Sequence, residues 1–325
     1  MGFQRGLARV GLAKQAAKGT AVTPPAFAFG VAGGTVFQAE IDQDREELTL
    51  SDALVAPAAV RSGVVPGADF PTRAFPRSLG LLLLGALGTD VVTGTTPNFT
   101  HTLTPATDVP YLTLTGELGG FAAQVRDCKV GELEIAWDGN DPLEVSASLV
   151  GTVLSFPGSF GTPGTDDQRA QTLTPCGGTF LLDAGSGTPV AAPIRAGTIG
   201  IGNNAEPVML SGDAQPGDVF VGAKEIDASL TIVPDNLNEW RKVLTGSAGG
   251  AAVSCLPVYG SFDVLFQIDA NTSLRLAAGR VAFVTDFPEA DPGGGPAELE
   301  LAGPVVSPAS GAALTATLKN SVASY

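Results

Sequence analysis

The chain has 325 residues, with 18 Lys and Arg against 33 Asp and Glu, and a net charge of −15. Its 42 glycines and 24 prolines are too many helix breakers for a helical bundle, while 44% hydrophobic residues suffice for a sizeable core. The acidic balance excludes a general DNA-gripping protein, whose affinity for phosphate comes from Lys and Arg, and the length fits about two domains of roughly 150 residues.

The first 39 residues hold Arg5, Arg9, Lys14 and Lys18 and no acid, so the acidic excess lies entirely beyond them. With Thr23-Pro24-Pro25 inside it, this stretch reads as an extended basic arm rather than a packed helix. Asp42, Asp44, Glu46 and Glu47 follow but lack the glycine and spacing of an EF-hand loop. The first predicted helix runs from about Phe75 to Leu87, with Pro76 in its first turn and Gly88 after it. His101, in Asn98-Phe99-Thr100-His101-Thr102, reads as a strand-surface histidine.

From there period-two alternation dominates. Glu132, Glu134 and Ala136 share one strand face, and Leu133, Ile135 and Trp137 the other. Leu143 to Leu149, Ile226 to Ile232 and Glu298 to Leu301 alternate in the same way, and Tyr111–Leu118, Phe262–Ile268 and Ala313–Leu318 add strands. Clusters such as Asp138-Gly139-Asn140-Asp141-Pro142 separate them as turns. Residues 155–195 are rich in Gly, Pro, Ser and Thr and read as a linker or long loop, and Gly197-Thr198-Ile199-Gly200-Ile201-Gly202 reads as a turn. A second helix opens at Pro234-Asp235-Asn236, where Asn236 and Glu239 suit a capping box, and ends at Gly246. Leu237, Trp240, Val243 and Leu244 form its apolar face.

The order strand, helix, strand, strand, turn, strand occurs twice, around the helices at 75–87 and 235–245. Cys128-Lys129-Val130-Gly131 falls at the place of Gly279-Arg280-Val281-Ala282, and Pro142 at that of Pro296. The expected fold is therefore mainly β: an arm at 1–39, β-sandwich or half-barrel domains with one flanking helix each at 40–155 and 195–325, and a linker at 156–194.

The chemistry-bearing residues are few. One histidine and the scattered Cys128, Cys176 and Cys255 offer no zinc spacing and read as reduced thiols. The glycine run lacks the spacing of a dinucleotide loop, and no nucleophile motif accompanies His101. No catalytic residue, metal or cofactor is expected. No apolar run opens the N-terminus, so no signal peptide is expected either.

Four segments resemble phage tail tube (major tail) proteins of the long, non-contractile-tailed, siphovirus type. They are Gly11-Leu12-Ala13-Lys14-Gln15-Ala16-Ala17-Lys18-Gly19-Thr20; Asp127 to Ile135 with Pro142 to Val145 and Leu149-Val150-Gly151; Pro234 to Trp240; and the closing Ala313 to Asn320. The resemblance implies a structural virion protein, not an enzyme. It would be assembled in the host cytoplasm as rings stacked into a hollow tube for genome delivery, with tape-measure and terminator or tip proteins as partners. DNA would pass without specific binding, and carboxylates on the wall would repel its phosphates. A duplicated chain would fill a six-fold ring with three copies, the alternative being six. Glu132, Glu134, Glu144, Glu298 and Glu300 are the lumen candidates, the outer wall being their other possible location. Arg5, Leu7, Arg9, Val10, Leu12, Lys14, Lys18, Phe27 and Phe29 are expected to dock the arm on a neighbouring subunit. A β-rich adhesin, pilus-like or surface-layer subunit is the alternative class; it shares the strands, glycine and acidity.

Overall fold

A computed structural model describes residues 8–45, 59–185, 187–287 and 296–325. The first half contains β1 (Ala8–Lys14), β2 (Phe27–Gly30), β3 (Thr35–Arg45), β4 (Ala59–Arg73), α1 (Leu79–Leu87), β5 (Gly88–Thr95), β6 (Asn98–Pro105), β7 (Leu112–Leu118), β8 (Phe121–Asp138), β9 (Glu144–Val150) and β10 (Val153–Ser155). After β11 (Thr165–Asp166) come β12 (Thr179–Asp183), β13 (Val190–Ala191), β14 (Ile194–Gly202), β15 (Ala205–Val208), β16 (Asp218–Val221) and β17 (Glu225–Ile232). The chain ends with α2 (Asn238–Thr245), β18 (Gly260–Asp269), β19 (Thr272–Val281), β20 (Leu299–Pro304) and β21 (Leu314–Asn320).

The fold is mainly β, as expected. A 12-stranded sheet and a 7-stranded sheet hold every described strand except the β15–β16 hairpin. The core is the apolar side of the alternation: Leu133, Ile135, Val145, Ala147, Ile199, Ile201, Leu230 and Leu301 are all buried. Trp137 on β8 meets Phe266 on β18 edge-on at 5.1 Å, and Phe180 on β12 meets Phe266 at 5.6 Å. Trp137, which also meets Phe180 at 6.5 Å, thereby ties the 12-stranded sheet to the 7-stranded one.

The two halves use the same pairing scheme. In the first, β1 pairs with β2 and β7, β7 with β8, β3 with β4, β4 with β9, and β8 with β9 and β10. In the second, β12 pairs with β13 and β18, β18 with β19, β14 with β17, β17 with β20, and β19 with β21. Bridges from Val281 to Val305 and from Val284 to Ala302 take the place of the β8–β9 ladder. α1 lies between β4 and β7, and α2 between β17 and β18. The halves also pair with each other, β8 with β14 and β6 with β21.

Several expectations need correction. Residues 8–30 do not leave the body as an arm. β1 lies between β2 and β7 of its own chain; Val10 and Leu12 are fully buried, and Phe27 and Phe29 nearly so. Burial of these apolar side chains outweighs the extended tendency that the prolines suggested. Arg5 and Leu7 lie outside the described residues, as do Glu46 and Glu47. The segment at 156–194 is not simply a linker, because β12 and β13 inside it are the second half's counterparts of β1 and β2. The glycine run at 197–202 is a central strand, not a turn: β14 runs between β8 and β17. Gly197 is required there, since a Cβ would come within 2.4 Å of the Trp137 indole. The capping box is not formed. Asn236 accepts from the Asn238 N–H at 2.9 Å, but Glu239 turns away to the Ala184 N–H and Lys242.

Candidate functional site: an acidic sheet face

Core-facing residues on β8, β9, β17 and β20 force their neighbours to the opposite side of the same sheet. Glu132 and Glu134 on β8, Glu144 on β9 and Glu300 on β20 stand on that solvent side, with Glu298 just before β20. The structure therefore brings all five lumen candidates to one sheet. Asp69 on β4 and Glu225 and Asp227 on β17 join them and were not among the candidates. The signal for Glu225 and Asp227 was present in the alternation of β17 itself.

The register arranges these charges in rows. Glu134 pairs with Gly200, which pairs with Asp227; Glu132 pairs with Gly202, which pairs with Glu225. Like charges directly opposite on adjacent strands destabilise a sheet. A strand of glycines between the acids keeps each pair two strand spacings apart, about 10 Å. Some of the charge is compensated. Arg73 donates to Glu144 at 2.8 Å, Arg195 pairs with Glu298, and Ser229 donates to Glu300 at 2.7 Å. Glu132 and Glu134 have no ion-pair partner among the described residues.

The described basic residues of the N-terminal segment, Arg9, Lys14 and Lys18, are used within the chain. Arg9 pairs with Glu117 at 2.5 Å and stacks over Phe160, Lys14 donates to the Tyr325 carbonyl at 3.0 Å, and Lys18 pairs with Asp218 at 2.6 Å. Partial burial works against the Asp218 charge, but Lys18, the Val219 N–H and the Tyr111 hydroxyl hold its carboxyl below the usual range. Burial and the same carboxylate push Tyr111 up to about 12.

His101 is fully buried, not on the strand surface. Its Nδ1 lies 2.9 Å from the Asp90 carboxylate and its Nε2 2.8 Å from the Val322 carbonyl, so both nitrogens face acceptors. Burial opposes its charge, but the Asp90 and Val322 bonds prevail and raise its pKa. The residues after β21 are thereby latched over β6, with Tyr325 stacked on His101 at 4.7 Å and donating to the Arg77 carbonyl at 2.7 Å. Asp127, from the motif at 127–131, is also structural. It adopts φ 55°, and its carboxylate accepts from the Gly19 N–H and the Thr152 hydroxyl where β8 passes from β7 to β9.

No group of three or more His, Cys, Asp and Glu suited to a metal occurs among the described residues. Among them, too, no helix is long and apolar enough to cross a membrane. What the arrangement offers is a large, acidic, solvent-facing sheet surface.

A family model of phage tail tube proteins matches residues 7–317, nearly the whole chain. The chain belongs to that family, as the sequence resemblance implied. It is a structural tail tube protein, a virion tail component that self-assembles into a tube. No curated protein matches it.

Proposed function

We propose that this protein forms rings that stack into the tube of a long, non-contractile tail, and that the acidic face of the 12-stranded sheet lines the channel. The observation that carries this reading is the β8–β14 ladder, which joins two like half-sheets side by side with their acidic faces on one side. Repeating that joint generates a curved wall with a single polar lining. Three copies, each supplying two halves, make a six-fold ring. Glu132, Glu134, Glu144, Glu298 and Glu300, with Asp69, Glu225 and Asp227, repel the phosphates of DNA passing through to the host. Tape-measure and terminator or tip proteins meet the tube inside and at its ends, and assembly takes place in the host cytoplasm. The protein performs no catalysis.

The test is electron microscopy of the purified protein concentrated alone and on a tape-measure fragment. Hollow tubes or rings with a central channel are expected; a protein that stays monomeric under every condition contradicts the reading.

A further inference from the structure

We infer that residues 282–287 of one copy pair antiparallel with the open edge of β3 in the next copy, in the register that β8 and β14 use inside the chain. This rests on the ring-forming reading above and names its joint.

The completed version of the joint is visible at the centre of the chain. The second part of β8 is flanked on both sides, by β9 and by β14. Its counterpart in the second half is the segment after β19. There Val284 exchanges both backbone hydrogen bonds with Ala302, at 2.7 and 3.1 Å, as β8 does with β9. On the other side of 282–287 no strand pairs among the described residues. The counterpart of β14 is β3. β14 lies between β17 and β8, whereas β3 pairs with β4 and with no second strand among the described residues. One chain thus carries both halves of a second, unmade β8–β14 joint, one on each of two edges. An unpaired strand edge is a template for another strand. Here the complementary edge belongs to an identical chain, so the contact is head-to-tail, as a closed ring of like chains requires.

The alternation of buried residues fixes the face that each residue presents, and the correspondence of Pro296 with Pro142 sets the register. Leu299 and Leu301 fill in β20 the buried positions of Val145 and Ala147 in β9, so Ala302 stands where Ser148 does. Val284, opposite Ala302, then corresponds to Glu132, opposite Ser148. Carried through β17 and β4, the same matching makes Glu40 the counterpart of Gly202. Glu132 and Gly202 are direct partners, so Val284 falls opposite Glu40. Three residues along, Phe287 takes the place of Ile135 and reaches the irregularity of β3 at Val36 and Phe37, where β14 has Ile199. Exposure supports the match. Ile135 and Ile199 are fully buried, whereas Phe287 is 61% exposed and, on β3, Ile41 55%. These apolar side chains lack the cover that the internal joint provides.

A disulfide trap tests the register. Glu40→Cys and Val284→Cys are placed together in a chain carrying Cys176→Ser and Cys255→Ser, which removes the exposed thiols. Directly opposite residues in an antiparallel pair bring their Cβ atoms to about 4.5–5.5 Å, close to disulfide reach. Oxidation of assembled rings should give covalently joined chains on a denaturing gel. Glu40→Cys with Asp286→Cys, two residues out of register, should give several-fold less. The wild-type chain supplies a readout that needs no variant: on assembly, amide exchange in 282–287 and at the outward amides of β3 should slow at least ~10-fold. Tubes that form without the cross-link and with unchanged exchange at both edges overturn this joint and leave the tube intact. Failure of the wild-type chain to form rings or tubes overturns the tube reading itself.

Discussion

α1 and α2 hold the same place in their halves, but α1 is buried along its whole length and α2 has no fully buried residue. The sequences already differ, Leu79-Gly-Leu-Leu-Leu-Leu-Gly-Ala-Leu87 against Asn238-Glu-Trp-Arg-Lys-Val-Leu-Thr245. Their surroundings explain why. α1 packs on β8, with Gly85 against Val130, and under the β5–β6 hairpin that follows it. α2 is followed instead by a strandless stretch, in which Val253 and Leu256 are exposed. It packs its apolar stripe inward, sets Trp240 edge-on to Phe287 at 5.0 Å, and ties to the body through Lys242, Asp183 and Glu239. One pairing scheme thus holds two kinds of helix: α1 is enclosed within the core, and α2 keeps one side in solvent.

The largest effect is expected at the strands that begin each half. Deleting residues 1–20 removes β1 from between β2 and β7, together with Val10 and Leu12. The expected product is an unfolded or insoluble chain, seen as loss of a cooperative melt in circular dichroism. A folded truncation would show that β1 contributes little. Next come the helices. Leu83→Ala should cost about 2–5 kcal/mol in denaturant unfolding, as for a fully buried leucine, whereas half-buried Val243→Ala should cost about 1 kcal/mol or less. Equal losses would contradict the difference in burial.

A smaller effect concerns pH. The raised pKa of His101 means that its latch contributes fully below about pH 6.5, its ordinary value, and is lost as pH rises through the folded value. The melting temperature should therefore fall over that range, and Asp90→Asn should flatten the dependence. Lys224 has the opposite sign. Burial lowers its pKa to about 8, so its contribution grows as pH rises from about 8 toward 10.5. The smallest effect on stability is expected at the acidic face. Glu132→Lys with Glu134→Lys should change unfolding by about 0.5 kcal/mol or less per site. Tube assembly should persist while genome delivery by the reconstituted phage drops, and unimpaired delivery would place these residues off the channel.

The sequence made some of this legible and hid the rest for physical reasons. β8, β9, β17 and β20 each have one buried and one solvated face, so their alternation was plain and carried the acidic candidates with it. β1 was hidden because Val10 to Ala13 are buried in succession, with Pro25 and Phe160 covering Gly11, and the alternation disappears. β14 was hidden because its glycines make room for Trp137 and separate the acid rows, which in sequence looks like a turn. The buried histidine was missed because Asp90 and the C-terminal residues that enclose it are brought to it only by the fold.

The central claim is that two like halves in each chain build a six-fold ring from three chains. Mass determination of isolated rings by native mass spectrometry, with end-on electron microscopy of the same sample, tests it most directly. The account predicts six lobes around a channel and three times the chain mass of 32.8 kDa. A ring of six chains, or six lobes each containing a whole chain, would contradict it.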